Sequence, residues 1–105
     1  MTKFFKTFLT AGAAICLAGI AQAADIKADI KGMAFSPATI TVSVGDTITF
    51  TNRDGAPHTA TAADGSFTTA TLRKGKSETI AFDSAGTFAF FCKIHRGMKG
   101  TIVVQ

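Results

Sequence analysis

Thr39-Ile40-Thr41-Val42-Ser43-Val44-Gly45-Asp46-Thr47-Ile48-Thr49-Phe50-Thr51 alternates apolar and polar side chains. Ile40, Val42, Val44, Ile48 and Phe50 share one face, the threonines and Ser43 the other, and Gly45-Asp46 interrupts the pattern. A period of two is the signature of a strand with one face buried. β-Branched residues on both faces favour the pleated conformation over a helix. The stretch therefore predicts two half-buried antiparallel strands around a turn.

The same grammar extends in both directions. Ile26, Ala28 and Ile30 begin a first strand, Thr79 to Phe82 makes another, Thr87 to Cys92 a third, and Thr101 to Val104 closes the chain. Asp54-Gly55, Asp64-Gly65, Lys74-Gly75 and Ala85-Gly86 supply the turns between them. A run of short strands punctuated in this way predicts an all-β fold, a β-sandwich. Asn52 to Thr71 is the least regular stretch and reads as loop with one weak strand, Phe67 being its only large anchor. Phe35 precedes Ser36-Pro37, which favours an extended or turn backbone. Phe35, Phe50, Phe67, Phe82, Phe88, Phe90 and Phe91 are expected mostly in the core.

The first residues read as an export signal: Lys3 and Lys6, an apolar stretch from Phe8 to Ile20, then Ala21-Gln22-Ala23 as a cleavage site. Residues 1–23 would be removed, and a single domain, 24–105, would begin at Ala24. The apolar stretch is short for a membrane span, and Ile15 before Cys16 argues against lipidation. The remaining 82 of 105 residues can build only a thin core, which a bound metal would help to stabilise. They keep nine basic residues against seven acids, too small an excess for a nucleic-acid footprint.

An exported chain of this size usually staples itself with paired cysteines, yet after processing only Cys92 remains. Alone, it would read as a buried, inert thiol. Its neighbours in Cys92-Lys93-Ile94-His95-Arg96-Gly97-Met98 change that reading. A strand ending at Cys92 and followed by a tight loop can aim a thiolate, an imidazole and a thioether at one point, with Gly97 and Gly100 easing the turn around Met98. His58, stiffened by Pro57, is the only other histidine. Two imidazoles, one thiolate and a weak axial methionine suit copper cycling between Cu(I) and Cu(II), whereas structural zinc takes four strong ligands. The metal ligands are thus His58, Cys92, His95 and Met98, and the cofactor one copper ion. Met33 is a rival axial ligand without a spacing argument. Asn52 and Thr59 are candidates to support the ligands, and His95 is the one expected to face solvent.

At these residues the chain resembles the cupredoxins, the type 1 blue copper proteins, and within them the amicyanins, whose copper loop has the same Cys-x2-His-x2-Met spacing. Phe35-Ser36-Pro37-Ala38-Thr39-Ile40-Thr41-Val42, Val44-Gly45-Asp46, Thr51-Asn52-Arg53-Asp54, Pro57-His58 and Gly86-Thr87-Phe88 look like family segments. The resemblance implies a Greek-key sandwich, type 1 copper on those four ligands, and one-electron shuttling in the periplasm. It also implies that protonation can release the solvent-edge histidine from Cu(I), a step that Lys93 and Arg96 would oppose. Three departures stand out. Thr59 replaces a frequent asparagine, Lys93, Ile94, Arg96 and Gly97 replace proline and bulky apolar residues, and Phe88 and Phe90 replace frequent tyrosines.

The reading is a periplasmic electron carrier between a redox protein donor and acceptor, a dehydrogenase or a c-type cytochrome among the possibilities. A carrier of this size is most simply a monomer, with no membrane span after processing. Lys93 and Arg96 would steer acidic partners. The alternative is a periplasmic copper-binding protein for buffering or delivery, and a third class is a small exported sandwich with zinc or no metal. An enzyme is disfavoured because four protein ligands leave no open position.

Overall fold

A computed structural model describes residues 22–105. The proposed signal segment lies almost wholly outside the described residues. Among the described residues, eight strands form two four-stranded sheets. They are β1 (Asp25–Lys31), β2 (Ala34–Ser36), β3 (Thr39–Val42), β4 (Thr47–Asn52), β5 (Thr61–Ala62), β6 (Ser77–Ala81), β7 (Gly86–Phe91) and β8 (Lys99–Val104). One sheet has the order β2-β1-β4-β6, the other β3-β8-β7-β5, and the pairs β1–β4 and β3–β8 are parallel. The β-sandwich expected from the turn spacing is thus present, with a weak β5 in the irregular middle stretch.

One expectation is overturned. β3 and β4 do not pair with each other but lie in opposite sheets. Their link is tied elsewhere: Val44 N–H donates to the Gln105 carbonyl and Gly45 N–H to that of Phe82. Val44 stands 50% exposed in this link, off the buried face assigned to it. Alternation specifies which face of a strand is buried, but not which strand lies beside it. Here Ile40 and Val42 come from one layer and Ile48 and Phe50 from the other, all buried in a common core. β2 is a short strand where only extended or turn backbone was expected; it pairs antiparallel with the end of β1.

Phe90, 1% exposed, is the centre of the core. Its ring centroid lies 4.6 Å from Phe35, 5.8 Å from Phe50 and 6.4 Å from Phe67. Phe82 is buried too, while Phe67 and Phe88 are partly buried against the cluster. An apolar ring suits Phe90's surroundings, because a buried hydroxyl there would need its own partner.

Two carboxylates pin the start of β1 to the sandwich. Asp25 accepts from Lys27 Nζ and from the Thr47 and Thr49 hydroxyls, while Asp46 accepts from Ala24 N–H and Ser43 N–H. The Lys27 ammonium, then the two hydroxyls, lower the Asp25 pKa from 3.8 to about 2; the Ala24 and Ser43 N–H bonds lower that of Asp46. Both groups are more acidic folded than unfolded, so the stability they give is present above the ordinary carboxylate range and is lost as pH falls below it, for Asp25 toward about 2. The melting temperature of the protein is expected to drop over that window, and less steeply in Asp46→Asn, which loses the charge but keeps the size. Parallel curves for the two proteins would show that Asp46 is not a source of the loss.

Candidate metal centre

β7 delivers Cys92 to one end of the sandwich, and the loop 92–98 is closed at both ends by backbone bonds. Phe91 pairs with Lys99, Cys92 N–H donates to the Met98 carbonyl at 3.1 Å, and Met98 N–H donates to the His95 carbonyl at 2.9 Å. The spacing of three residues therefore becomes a tight turn that folds His95 back over Cys92. His58 arrives on a separate segment, clamped by a reciprocal pair of backbone bonds with Leu72 of 3.0 and 2.7 Å. Both ligand segments are thus held by main chain.

Nδ1 of His58 and Nδ1 of His95 each lie 3.8 Å from Cys92 Sγ. The three donor atoms all fall within 4.8 Å of one another. With bond lengths of about 2.3 Å to a thiolate and about 2.0 Å to an imidazole nitrogen, donors 3.8 Å apart could hold one metal ion between them. A thiolate and two imidazole nitrogens gathered in this way are the donor set of a His2Cys copper site. Met98 is 6% exposed and packs in the core cluster with Cys92, whereas Met33 is 45% exposed. Met98, tied through its backbone to Cys92 and His95, is the methionine that can reach the donors.

The histidines differ as expected. His58 is fully buried and His95 half-buried, which leaves the solvent edge to His95. His58 Nε2 lies 2.9 Å from Asp54 Oδ2. With its proton on Nε2, donated to the carboxylate, the ring offers the Nδ1 lone pair to the metal.

Asp54 is the functional residue that sequence reasoning missed. Its carboxylate accepts from Met33 N–H and Gly32 N–H as well, and these bonds, first of all, hold its pKa below the usual value. Met33 adopts φ 60, unusual for a residue with a side chain, under this double grip. A carboxylate four residues before a histidine was the available signal. Asn52, expected near the ligands, instead builds the loop: Nδ2 donates to the Ala56 and Leu72 carbonyls and Oδ1 accepts from Asp54 N–H. Removal of the carboxylate in Asp54→Ala frees His58 to rotate, and copper affinity is expected to fall by about 10–100-fold. Competition with a chelator of known affinity measures it, and an unchanged constant would exclude Asp54 from orienting the ring.

Thr59 joins the two ligand segments. Its N–H donates to Cys92 Sγ at 3.4 Å, and Oγ1 accepts from Lys93 N–H at 2.9 Å. A hydroxyl here makes the link directly, so the departure from asparagine is a different bond rather than a missing one. Thr59→Val keeps the shape and leaves Lys93 N–H without its acceptor, at an expected cost of about 1–3 kcal/mol in denaturant unfolding. A loss below a few tenths would mean that water replaces the hydroxyl.

Burial pushes the Cys92 thiol up, but the Thr59 N–H, the His58 side chain and the backbone and ring of His95 together outweigh it, bringing the pKa from 9.0 to about 6. Metal binding needs the thiolate, and the frame already favours it. Gly97 and Gly100, expected to ease the turn around Met98, do so without a positive φ. Gly100 instead lies in β8 opposite Phe90, where there is no room for a side chain.

Comparison with known proteins points to one family. The cupredoxin-like domain family matches residues 4–104. Plastocyanin of Tetradesmus obliquus is 36% identical over 108 residues, covering 89% of this chain and 74% of that protein. Amicyanin of Paracoccus denitrificans is 34% identical over 92 residues, covering 81% of this chain and 70% of that protein. Among solved structures, a reduced amicyanin variant superposes with a TM-score of 0.73 at 30% identity, covering 84% of this chain and 88% of that one. The likeness runs through both sheets and the ligand loop, and the chain belongs to the cupredoxin family.

Proposed function

We propose that this protein is a periplasmic one-electron carrier, exported on residues 1–23 and matured at Ala24, with one copper held by His58, Cys92, His95 and Met98. The observation that carries the reading is the pair of Nδ1 atoms at 3.8 Å from Cys92 Sγ, on segments fixed by backbone bonds. Bound there, copper supplies a Cu(I)/Cu(II) couple. The residues supply one frame for both oxidation states: the Leu72 clamp, the Thr59 link and the Asp54 bond leave the donors little to rearrange, which keeps electron transfer fast. Four protein donors leave no position for a substrate, so the chain acts as a carrier rather than an enzyme. His95, with its half-exposed ring, is the edge through which a dehydrogenase or c-type cytochrome exchanges the electron. The working unit is a monomer.

The test is an optical and electron paramagnetic resonance spectrum of the mature protein with one equivalent of Cu(II), followed through a reduction and reoxidation cycle. An intense blue band with narrow copper hyperfine splitting, returning in full after the cycle, supports the carrier. A pale spectrum, or rapid surrender of Cu(I) to a chelator, would replace it with copper buffering or delivery.

A further inference from the structure

The outer face of the β3-β8-β7-β5 sheet carries a groove of about 470 Å³ that the metal centre does not use. Ala63, Ala89 and Phe91 line it together with Thr101, Arg96 and Lys99. Ala63 and Ala89 are exposed and Phe91 is half-buried, so the floor is apolar surface open to solvent. Arg96 is drawn over it, its guanidinium carbon 5.2 Å from the Phe91 ring centroid. That stacking presents the guanidinium at the groove with its stem already ordered. Lys99 stands opposite Phe91 in the strand register.

The groove's lining carries two cations and no carboxylate, and Asp64, next to Ala63 in the chain, accepts the Ser66 N–H at 2.9 Å. No Asp or Glu occurs anywhere in 84–105, and none lies in β3, β5, β7 or β8. Among the described residues neither Arg96 nor Lys99 has a carboxylate within 4.0 Å, while Lys27 and Arg53 on the other sheet do. Two uncompensated cations beside an apolar floor complement a segment that carries carboxylates around an apolar side chain. Position argues for whose segment it is: Phe91 is joined by one peptide bond to Cys92, so whatever seats on this floor lies one residue along the chain from the sulfur ligand.

We infer that this groove docks an acidic segment of the redox partner, an apolar side chain resting on Ala89 and Phe91 and carboxylates meeting Arg96 and Lys99. The inference rests on the electron-carrier reading and adds to it the chemistry of the partner. It also places a contact on the sheet face in addition to the His95 edge.

The test uses isotope-labelled, copper-loaded Cu(I) protein titrated at low ionic strength with an acidic c-type cytochrome and, separately, a basic one. Binding of the acidic cytochrome is expected to shift the amide signals of Ala63, Ala89, Phe91 and Thr101. Its Kd should rise by about tenfold or more both in Ala89→Glu, which places a carboxylate on the floor, and in the Arg96→Gln/Lys99→Gln pair. Salt should weaken it likewise. The Cu(II) absorption band of each variant should match that of the parent, because none of these side chains is a ligand. Shifts confined to Ile94 and His95, with a Kd indifferent to Ala89→Glu, would overturn the proposal. So would equal binding of the basic cytochrome, or variant-sensitive binding to phosphatidylglycerol vesicles but not to the acidic cytochrome. A parent protein without the blue band would remove the carrier reading itself, a failure the spectrum shows independently of the amide shifts.

Discussion

In Cys92→Ser the intense blue absorption of the Cu(II) protein is expected to vanish, and the copper hyperfine splitting to widen to that of an ordinary nitrogen–oxygen site. Only the thiolate makes a strongly covalent bond to Cu(II), and both signals report that bond. The frame prepares sulfur for this: the Thr59 N–H and the two imidazoles lower the Cys92 pKa to about 6 against the cost of burial, which favours the thiolate that a metal needs. A serine hydroxyl in the same bonds from Thr59 and the imidazoles stays protonated and is a poor ligand for Cu(I). Copper affinity should therefore fall more than about 100-fold, beyond the range expected for loss of a supporting contact. The fold should persist, since the exchange is nearly isosteric and Thr59 N–H keeps an acceptor. Far-ultraviolet circular dichroism and a denaturant titration separate the two effects. A variant that unfolds would tie Cys92 to stability, and one that keeps its colour would remove it from the ligand set.

The parts of this site that lie close in sequence could be read from it. Cys92, His95 and Met98 sit within seven residues, and side-chain chemistry alone gathers them around a soft metal. His58 was found by elimination, because its approach depends on the Leu72 pairing, a contact between two loops without periodicity. Asp54 escaped for the same reason. Its reach to His58 is set by Asn52, whose three side-chain bonds shape the loop, and the four-residue spacing to His58 is the one local signal, too common in turns to single that aspartate out.

Sheet membership was hidden for a different physical reason. Ile40, Val42, Ile48 and Phe50 alternate correctly, but burial of one face is satisfied either by a hairpin in one layer or by two strands facing each other across the core. The choice is made by distant groups, the Gln105 and Phe82 carbonyls that take the N–H groups of Val44 and Gly45. Long-range backbone partners of this kind leave no mark on the segment they organise.

Gly100→Val is expected to be the most damaging single exchange outside the ligands. A Cβ at Gly100 would stand 2.4 Å from Phe90 Cζ, 2.5 Å from Phe90 Cε1 and 2.8 Å from the Ala38 carbonyl oxygen. Neither neighbour can give way easily: Phe90 is fixed among Phe35, Phe50 and Phe67, and the Ala38 carbonyl accepts Thr101 N–H at 2.8 Å. Overpacking usually costs about 1–3 kcal/mol. With ring and backbone both rigid, about 3 kcal/mol or more is expected, a large share of the roughly 5–15 kcal/mol that holds a small domain together. The pair Phe90–Gly100 also stands one register step inside Phe91–Lys99, which closes the ligand loop, so the strain falls where the frame of the copper site begins. Denaturant unfolding of Gly100→Ala, Phe90→Leu and the double variant tests the cause. The smaller side chain should relieve the ring clash but not the carbonyl contact, so the double variant should be more stable than the sum of the two losses, without full recovery. Strict additivity would mean that the space beside Phe90 is not what requires glycine there.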